Sequence, residues 1–176
     1  FIVGGAAGAA FAMLPGLMRA KLGVNEIIVT LMLNYVAQSL LVYLVTGPWK
    51  GTTSRGYPQT DPFPDYAIPS MMPGTRIPYV TLFLALGAAV ACYVLLFKTK
   101  IGYEMRVLGD NPEAARFAGM NITYMSVAVM ALSGGLAGLA GVGEAAATQA
   151  RLVRGISPGY GFTAIIPAWL SSLDPL

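Results

Sequence analysis

Long apolar runs alternate with short polar stretches along the chain. Three of the runs, at 27–46, 79–97 and 124–147, carry at most one charged residue each. A helix needs about 20 apolar residues to cross a bilayer, and each run has roughly this length. The first fourteen residues are expected to form a fourth, partial span that ends at Pro15 and Gly16. The pattern therefore predicts an all-α membrane protein, a polytopic bundle of transmembrane helices in one domain over residues 1–176.

Both ends of the chain differ from this regular pattern. The segment 158–173 is short and interrupted by proline, which favours a re-entrant or broken helix, although truncation explains its shortness equally well. The chain begins within an apolar run and ends as abruptly, so we expect it to be a fragment of a longer protein.

The segment 47–78 separates the first two full spans and holds seven of the twelve prolines. So many prolines disfavour a long helix or a central strand, and lipid does not tolerate unpaired backbone, so a hydrated loop is predicted. The loop is expected either to contact a docking partner or simply to connect helices. Six cations are expected on the opposite side of the membrane from this loop and five on its own side, so the positive-inside rule predicts an extracytoplasmic loop. The six cations are Arg19, Lys21, Lys98, Lys100, Arg106 and Arg116.

The composition supports a membrane location and excludes several functions. Residues are 56% hydrophobic and 11% charged, which is less than half of the charged fraction of about a quarter that is typical of soluble domains. Without histidine and with Cys92 as the single cysteine, no metal site, internal disulfide or catalytic residue is predicted. The net charge of +3 comes without a basic run interleaved with aromatics, so no nucleic-acid partner is expected.

Polar side chains within the apolar runs are the candidate substrate pathway. Thr30, Asn34 and Gln38 recur every four residues and therefore share one helix face. Amides facing lipid would be unsatisfied, so this face is expected either to form hydrogen bonds with another helix or to line a polar path. Glu144 is a carboxylate near the end of a span, where ionisable groups are functional by default. A solute or gating contact, a proton site and a structural acceptor remain open for it, with Arg151 as a possible ion partner.

Small residues precede Glu144 in the sequence ALSGGLAGLAGVG. Gly134 and Gly138 have the GxxxG spacing that allows close helix packing. The stripe of small residues predicts a helix-packing face formed by Ser133, Gly134, Gly138 and Gly141. The tetrapeptide LSGG within it is no nucleotide site, because the chain has no GxxxxGK[ST] loop and the tetrapeptide lies in an apolar span.

A polar stretch, GDNPEAARFAG, lies between two apolar runs at 109–119. Asn111 is a favoured N-cap, Pro112 suits the first helical position, and Glu113 complements the positive helix end. Gly119 suits the position after the helix, so a two-turn helix of about 10 Å is predicted over 112–118. A helix so short needs support from elsewhere. It is expected either to connect two spans or to transmit motion from a soluble motor.

The same stretch carries a family resemblance. TKIGYEMR followed by GDNPEAARFAGMN resembles the cytoplasmic loop of bacterial ABC-importer permeases that serve branched-chain amino acids, ribose-type sugars and nucleosides. GVNEIIVTLMLNYVA, LSGGLAGLAGVGE and GYGFTAII match further and bring the chain nearest to the nucleoside and simple-sugar branch. In that family the loop contains the coupling helix, which sits in a groove on the ATPase subunit. The resemblance therefore implies an ATPase-docking element formed by Gly109, Asn111, Pro112, Glu113, Ala114, Ala115, Arg116, Phe117 and Gly119.

The resemblance also implies a function. It implies a multi-pass permease subunit in the bacterial cytoplasmic (inner) membrane that translocates nucleosides or simple sugars by alternating access. The subunit would be no enzyme and would bind no cofactor, since ATP and Mg would be held by the partner ATPase. The implied partners are ABC ATPase subunits, a second permease subunit, the same or different, an extracytoplasmic substrate-binding lipoprotein and the lipid bilayer. Two alternatives stay open, a proton-coupled transporter that uses Glu144 and a non-transporting membrane scaffold.

Overall fold

The computed structural model describes residues 1–51, 59–64, 67–74, 78–157 and 159–170. Helices form almost all of its regular structure, and two isolated β-bridges, Gln59–Val153 and Met71–Pro78, lie outside them. The eight helices of the described residues are α1 (Ile2–Leu22), α2 (Glu26–Thr46), α3 (Tyr79–Lys98), α4 (Lys100–Asp110), α5 (Pro112–Phe117), α6 (Ile122–Gly143), α7 (Tyr160–Thr163) and α8 (Ile165–Leu170). A π-helical segment, Glu144–Gln149, continues α6.

Four helices among the described residues are long and apolar enough to cross a membrane: α1, α2, α3 and α6 with its π-helical continuation. At most 11% of the residues in any of their apolar windows is buried within the chain. Most side chains of each span therefore remain at least partly accessible to lipid or to other protein, as expected of a membrane helix. The all-α fold with membrane-spanning helices is confirmed.

The predicted end of the first span at Pro15 and Gly16 is wrong. Helix α1 continues through both residues and ends at Leu22, and its C-cap is Gly23, whose φ is 64°. Pro15 removes one intrahelical hydrogen bond, but in membrane helices neighbouring helices and local adjustments compensate for this loss. Pro15 and Gly16 are the buried residues of α1. A Cβ on Gly16 would lie 3.2 Å from the Met130 side chain, so this part of α1 packs directly against α6.

The chain divides into two compact units, of which the first comprises 1–30 and 85–141. Within it α1 and α6 cross at glycine. A Cβ on Gly8 would lie 2.3 Å from the carbonyl oxygen of Gly134, and one on Gly138 would lie 2.3 Å from the carbonyl oxygen of Gly4. The two backbones are therefore in direct contact, which only residues without a side chain allow.

The second unit comprises 31–84 and 142–176. In it the segment between α2 and α3 pairs with the chain after the π-helical segment. The Thr60 amide donates to the Leu152 carbonyl at 3.0 Å, and the Leu152 amide donates to the Thr60 hydroxyl at 3.0 Å. The Phe63 amide donates to the carbonyl of Ala150 at 2.8 Å. These bonds connect the proline-rich segment to the end of the segment that carries Glu144.

The last described part of the chain is a broken helix. A turn at Ala164 separates α7 from α8. The segment 158–173 is expected to be re-entrant or broken, and the helices found in it are short and discontinuous. Residues 158 and 171–173 of that segment lie outside the described residues.

Candidate functional site

Helix α5 lies where the sequence predicts a capped two-turn helix, and both ends are closed. The Asn111 side-chain oxygen accepts hydrogen bonds from the backbone amides of Glu113 and Ala114, each at 3.0 Å, and Pro112 occupies the first turn. These bonds satisfy amides that a helix N-terminus otherwise leaves unpaired. This geometry confirms the predicted N-cap of α5 at Asn111.

The C-terminal end of α5 is a Schellman motif. The Met120 amide donates to the Ala115 carbonyl at 3.1 Å, and the Gly119 amide donates to the Arg116 carbonyl at 3.1 Å. Gly119 has φ 76°, a conformation that glycine adopts without the steric penalty of a Cβ. The helix is therefore held in shape by its own ends, and its six residues do not rely on propensity alone.

The exposure of the α5 side chains defines two faces. Ala115 is fully buried, whereas Phe117 is 93% exposed. Ala114 and Ala118 are exposed as well. An aromatic side chain of this size in open solvent forfeits the burial free energy of about 1.5–3 kcal/mol that it would gain against a partner. The outward face of α5 thus combines an unsupported aromatic ring with two alanines that permit close approach.

The inward face of α5 packs on α4, and α4 in turn rests on the end of α3. Asn111 is the only residue between α4 and α5, and its amide donates to the Val107 carbonyl at 3.0 Å. At the other end of α4, a Cβ on Gly102 would lie 2.1 Å from the carbonyl oxygen of Leu95. The backbones of α3 and α4 are therefore in direct contact at the corner between the two helices.

On its other side α5 leads into α6. The Asn121 side-chain oxygen accepts from the Tyr124 amide at 3.0 Å, which caps the start of α6, and Met125 in the first turn is buried. Because α6 is in backbone contact with α1 at the glycine crossing, α5 lies between two elements that are both firmly held.

A cavity of about 520 Å³ adjoins the start of α5. Gly109 and Pro112 form part of its wall, and Ser126 contributes a hydroxyl. Arg19 and Glu26 also line it and form an ion pair that joins the end of α1 to the start of α2. The two side chains are 53% and 31% exposed, so the pair contributes at most about 1 kcal/mol. Gly109 itself has open space where a Cβ would stand.

Glu144 begins the π-helical segment and is half-buried. Single π-helical turns are rare and occur frequently at functional sites. No basic group of the described residues lies within ion-pair distance of its carboxylate, so the pairing with Arg151 that the sequence leaves open is not observed. The segment ends at Ala150 with φ 51°, a left-handed conformation that is uncommon for a residue with a Cβ.

The amide and hydroxyl groups of α2 differ among themselves. The Thr30 hydroxyl donates to the carbonyls of Glu26 and Ile27 at 2.9 and 3.0 Å, so its own helix satisfies it. Asn34 is half-buried and Gln38 is exposed, and neither side chain has a hydrogen-bond partner among the described residues. Within the described part of the chain, hydrogen bonds to another helix therefore do not account for the presence of Asn34 and Gln38 in an apolar span.

The predicted packing residues of α6 separate into two groups. Gly134 and Gly138 lie at the crossing with α1, where a Cβ on Gly134 would lie 2.2 Å from the Ala12 Cβ. Ser133 is exposed, and a Cβ on Gly141 would have nothing within 4 Å. Of the four predicted packing residues, the GxxxG pair makes the close contact with α1, whereas Ser133 is exposed and Gly141 has open space around it.

Two features of the site have no counterpart in the sequence analysis. Helix α4 was not predicted, although Thr99 is an N-cap whose hydroxyl accepts from the Gly102 amide at 3.1 Å. The spacing of Ile101, Met105 and Leu108 is a helical signal that identifies it. The π-helical form of Glu144–Gln149 has no such signal, because EAAATQ suits an α-helix equally well.

Four candidate spans define a multi-pass membrane protein, in which the exposed, doubly capped α5 lies between the third and the fourth span. Residues 1–174 match the family described as branched-chain amino acid transport system / permease component. The chain belongs to this family, the ABC-transporter permease subunits, which are not themselves enzymes. No solved structure matches the chain.

Three relatives show the range of the similarity. The glucose ABC transporter permease protein TsgB13 of Haloferax volcanii is 42% identical over 175 residues, which cover 94% of this chain and 46% of the relative. The guanosine ABC transporter permease protein NupP of Bacillus subtilis is 32% identical, with 96% and 49% covered. The nucleoside ABC transporter permease protein NupB of Lactococcus lactis is 29% identical, with 80% and 41% covered. The chain spans about half the length of the curated relatives it matches, and an archaeal relative means that the expected bacterial origin is not fixed.

Proposed function

We propose that this chain is the membrane-spanning part of an ATP-driven importer in which α5 docks on an ATPase subunit. The single observation that carries the proposal is the outward face of α5, where Phe117 is 93% exposed on a helix that both of its ends hold in shape. An exposed aromatic on a preorganised helix is what an interface anchor requires, because aromatic residues dominate binding energy and preorganisation reduces the entropy lost on binding.

The elements behind α5 support a lever mechanism. Helix α5 lies against α4 and buries Ala115, and Gly102 leaves α4 in backbone contact with the end of α3. In the other direction Asn121 begins α6, which is locked to α1. A force on α5 is therefore delivered to two spans at once. For the force to change the accessibility of a transport path, the ATPase must hold α5 differently in its two nucleotide states, because equal affinity shifts no equilibrium.

We propose simple sugars or nucleosides as the cargo. The support for this proposal is that the three relatives are named as permeases for glucose, guanosine and nucleosides. Such solutes are neutral and rich in hydroxyl groups, so they need hydrogen-bonding partners rather than a counter-charge. The unpaired amides of Asn34 and Gln38 and the half-buried carboxylate of Glu144 are suitable partners, and alternating access would expose them to each side in turn.

The proposed partners follow from the same scheme. ATPase subunits would bind α5, a second permease subunit would complete the path, and a substrate-binding lipoprotein would deliver the solute from outside. The proline-rich segment is the proposed contact for that lipoprotein. Its pairing with Leu152 supports this proposal, because a load on Thr60 is passed directly to the segment that carries Glu144.

The docking step is tested by Phe117→Asp in the full-length permease expressed with its ATPase. Loss of the aromatic burial, about 1.5–3 kcal/mol, lowers ATPase affinity roughly 10- to 150-fold. Co-purification of the ATPase and ATP-dependent uptake should both fall, while membrane insertion stays intact because the side chain touches no span.

Phe117→Leu is the matched control, since it keeps an apolar side chain of similar reach and should retain most of the affinity. Undiminished co-purification of the ATPase with the Asp variant would contradict the docking assignment. The two rival functions give different results in the same preparation. Uptake that collapses with the proton gradient and persists without the ATPase indicates a proton-coupled transporter, and the absence of any flux from an intact assembly indicates a scaffold.

A further inference from the structure

A second cavity, of about 490 Å³, lies at the corner between α3 and α4, apart from the outward face of α5. Three cations line it, from Lys98, Lys100 and Arg106, with one carboxylate from Glu104. Its wall therefore has a net charge of +2 at neutral pH. No carboxylate of the residues that the structure describes lies within ion-pair distance of any of the three cations.

Arg106 is held at the edge of the apolar span. Its guanidinium carbon lies 5.2 Å from the centroid of the Phe97 ring, a cation–π contact. Phe97 is itself packed against Tyr93 in the last turns of α3, with ring centroids 5.0 Å apart. The guanidinium is thus directed back towards the end of the span. It does not extend into water, as an arginine side chain without such a contact would.

The position of the cavity relative to α3 favours lipid over a soluble anion. Helix α3 is the most apolar of the four candidate spans, and Lys98 is its last residue. The cavity therefore begins at the level where a bilayer changes from acyl chains to headgroups. Aromatic and apolar side chains from Phe97, Tyr103 and Met120 stand beside the three cations. A site that offers cations at one end and apolar surface at the other matches a phospholipid, whereas a free phosphate uses only the cations.

We propose that the corner between α3 and α4 is a binding site for an anionic phospholipid, whose phosphate is held by Lys98, Lys100 and Arg106 and whose acyl chain lies along Phe97. Basic pockets beside transmembrane helices on the cytoplasmic side recognise anionic headgroups in this way. The N-terminus of α4, which begins at Lys100, adds partial positive charge at the same place. The site makes α4, on which the docking helix packs, sensitive to the charge of the surrounding membrane.

The test is native mass spectrometry of the full-length permease complex titrated with an equal mixture of phosphatidylglycerol and phosphatidylcholine. Wild type should retain phosphatidylglycerol in preference to phosphatidylcholine. A cation near an anionic lipid contributes about 1 kcal/mol, so Lys98→Gln should lower phosphatidylglycerol retention about fivefold and the triple neutral variant K98Q/K100Q/R106Q about a hundredfold. Arg106→Lys, which keeps the charge, should lose much less than Arg106→Gln.

Lys21→Gln is the matched control, because Lys21 is an exposed cation at the end of another span that does not line the cavity. It should leave retention unchanged. Equal retention of the two lipids, or equal loss from Lys21→Gln and Lys98→Gln, would overturn the proposal. Displacement of the lipid by millimolar inorganic phosphate would assign the site to a free anion, and loss of the ATPase subunit with unchanged lipid retention would assign it to a protein partner. Either result rejects the lipid site. Neither result tests the docking of α5, which is tested separately by co-purification of the ATPase with Phe117→Asp.

Discussion

The glycine crossing between α1 and α6 gives a prediction whose magnitude follows from the atomic distances. A Cβ on Gly138 would lie 2.3 Å from the Gly4 carbonyl oxygen and 3.2 Å from the Gly8 Cα. A carbon and an oxygen approach no closer than about 3.3 Å in ordinary backbone contacts, so Gly138→Ala forces the two helices apart by about 1 Å. Both atoms at the contact belong to backbone, so no side-chain rotation relieves the clash.

Gly141→Ala is the matched variant, three residues along the same helix, where a Cβ would have nothing within 4 Å. Each substitution gains helix propensity, up to about 1 kcal/mol for glycine to alanine, and this gain cancels when the two variants are compared. The remaining difference is the packing penalty, about 1–3 kcal/mol for added volume in a well-packed contact. We expect Gly138→Ala to be less stable than Gly141→Ala by that amount.

Thermal unfolding of the purified full-length proteins in one detergent measures the difference. A domain of 150–250 residues loses about 2–4 °C per kcal/mol, and a protein about twice as long loses about half of that. The melting temperature of Gly138→Ala should therefore lie roughly 1–6 °C below that of Gly141→Ala. Equal melting temperatures, or a lower value for Gly141→Ala, would refute the close crossing of α1 with α6 and with it the rigid support of α5.

Three further predictions concern the elements around α5 and the transport path. Asn111→Ala removes a helix cap worth about 0.5–2 kcal/mol and should lower the ATPase affinity about 2- to 30-fold in pull-down titrations. Asn111→Asp keeps the hydrogen-bond acceptor and should bind the ATPase normally. An equal loss of affinity in both variants would assign Asn111 another role. Gly102→Ala brings a Cβ to 2.1 Å from the Leu95 carbonyl oxygen and should lower the melting temperature and ATP-driven uptake together. Gly109→Ala, with open space around it, should leave the melting temperature unchanged. A normal Gly102→Ala protein would mean that the α3–α4 corner is not rigid. Glu144→Gln should change solute selectivity or turnover in reconstituted vesicles more than it changes the melting temperature, and normal transport by this variant would reduce Glu144 to a structural residue.

The features that could be predicted from the sequence are those that local residues determine. The capped helix predicted over 112–118 is present as Pro112–Phe117, because Asn111, Pro112 and Gly119 act within one or two turns of their own positions. The long spans are equally local, since an apolar run of bilayer length leaves few alternatives to a helix. Pro15 is the exception. The sequence indicates a break there, but α1 continues through Pro15 to Leu22, with Gly16 packed against Met130.

Features that depend on distant residues were not predictable. The bonds of Thr60 and Phe63 join parts of the chain about ninety residues apart, and no local signal announces them. The rotation of α6 decides that Gly138 meets α1 and Gly141 does not, although both belong to one stripe of small residues. The exposure of Phe117 also had to be read from the structure, because its sequence position fits either face of a short helix.

Crosslinking from the outward face of α5 tests the central claim most directly. Ala118→Cys in a Cys92→Ser background of the full-length permease places one reactive thiol of this chain on that face and keeps Phe117, and Lys50→Cys in the same background places one beyond the C-terminal end of α2. The account predicts that a short thiol crosslinker joins position 118 to the ATPase subunit, with a yield that differs between nucleotide-free and ATP-bound complexes, and that position 50 gives no such product. The absence of an ATPase product at position 118 in both nucleotide states, from complexes that transport normally, would contradict it.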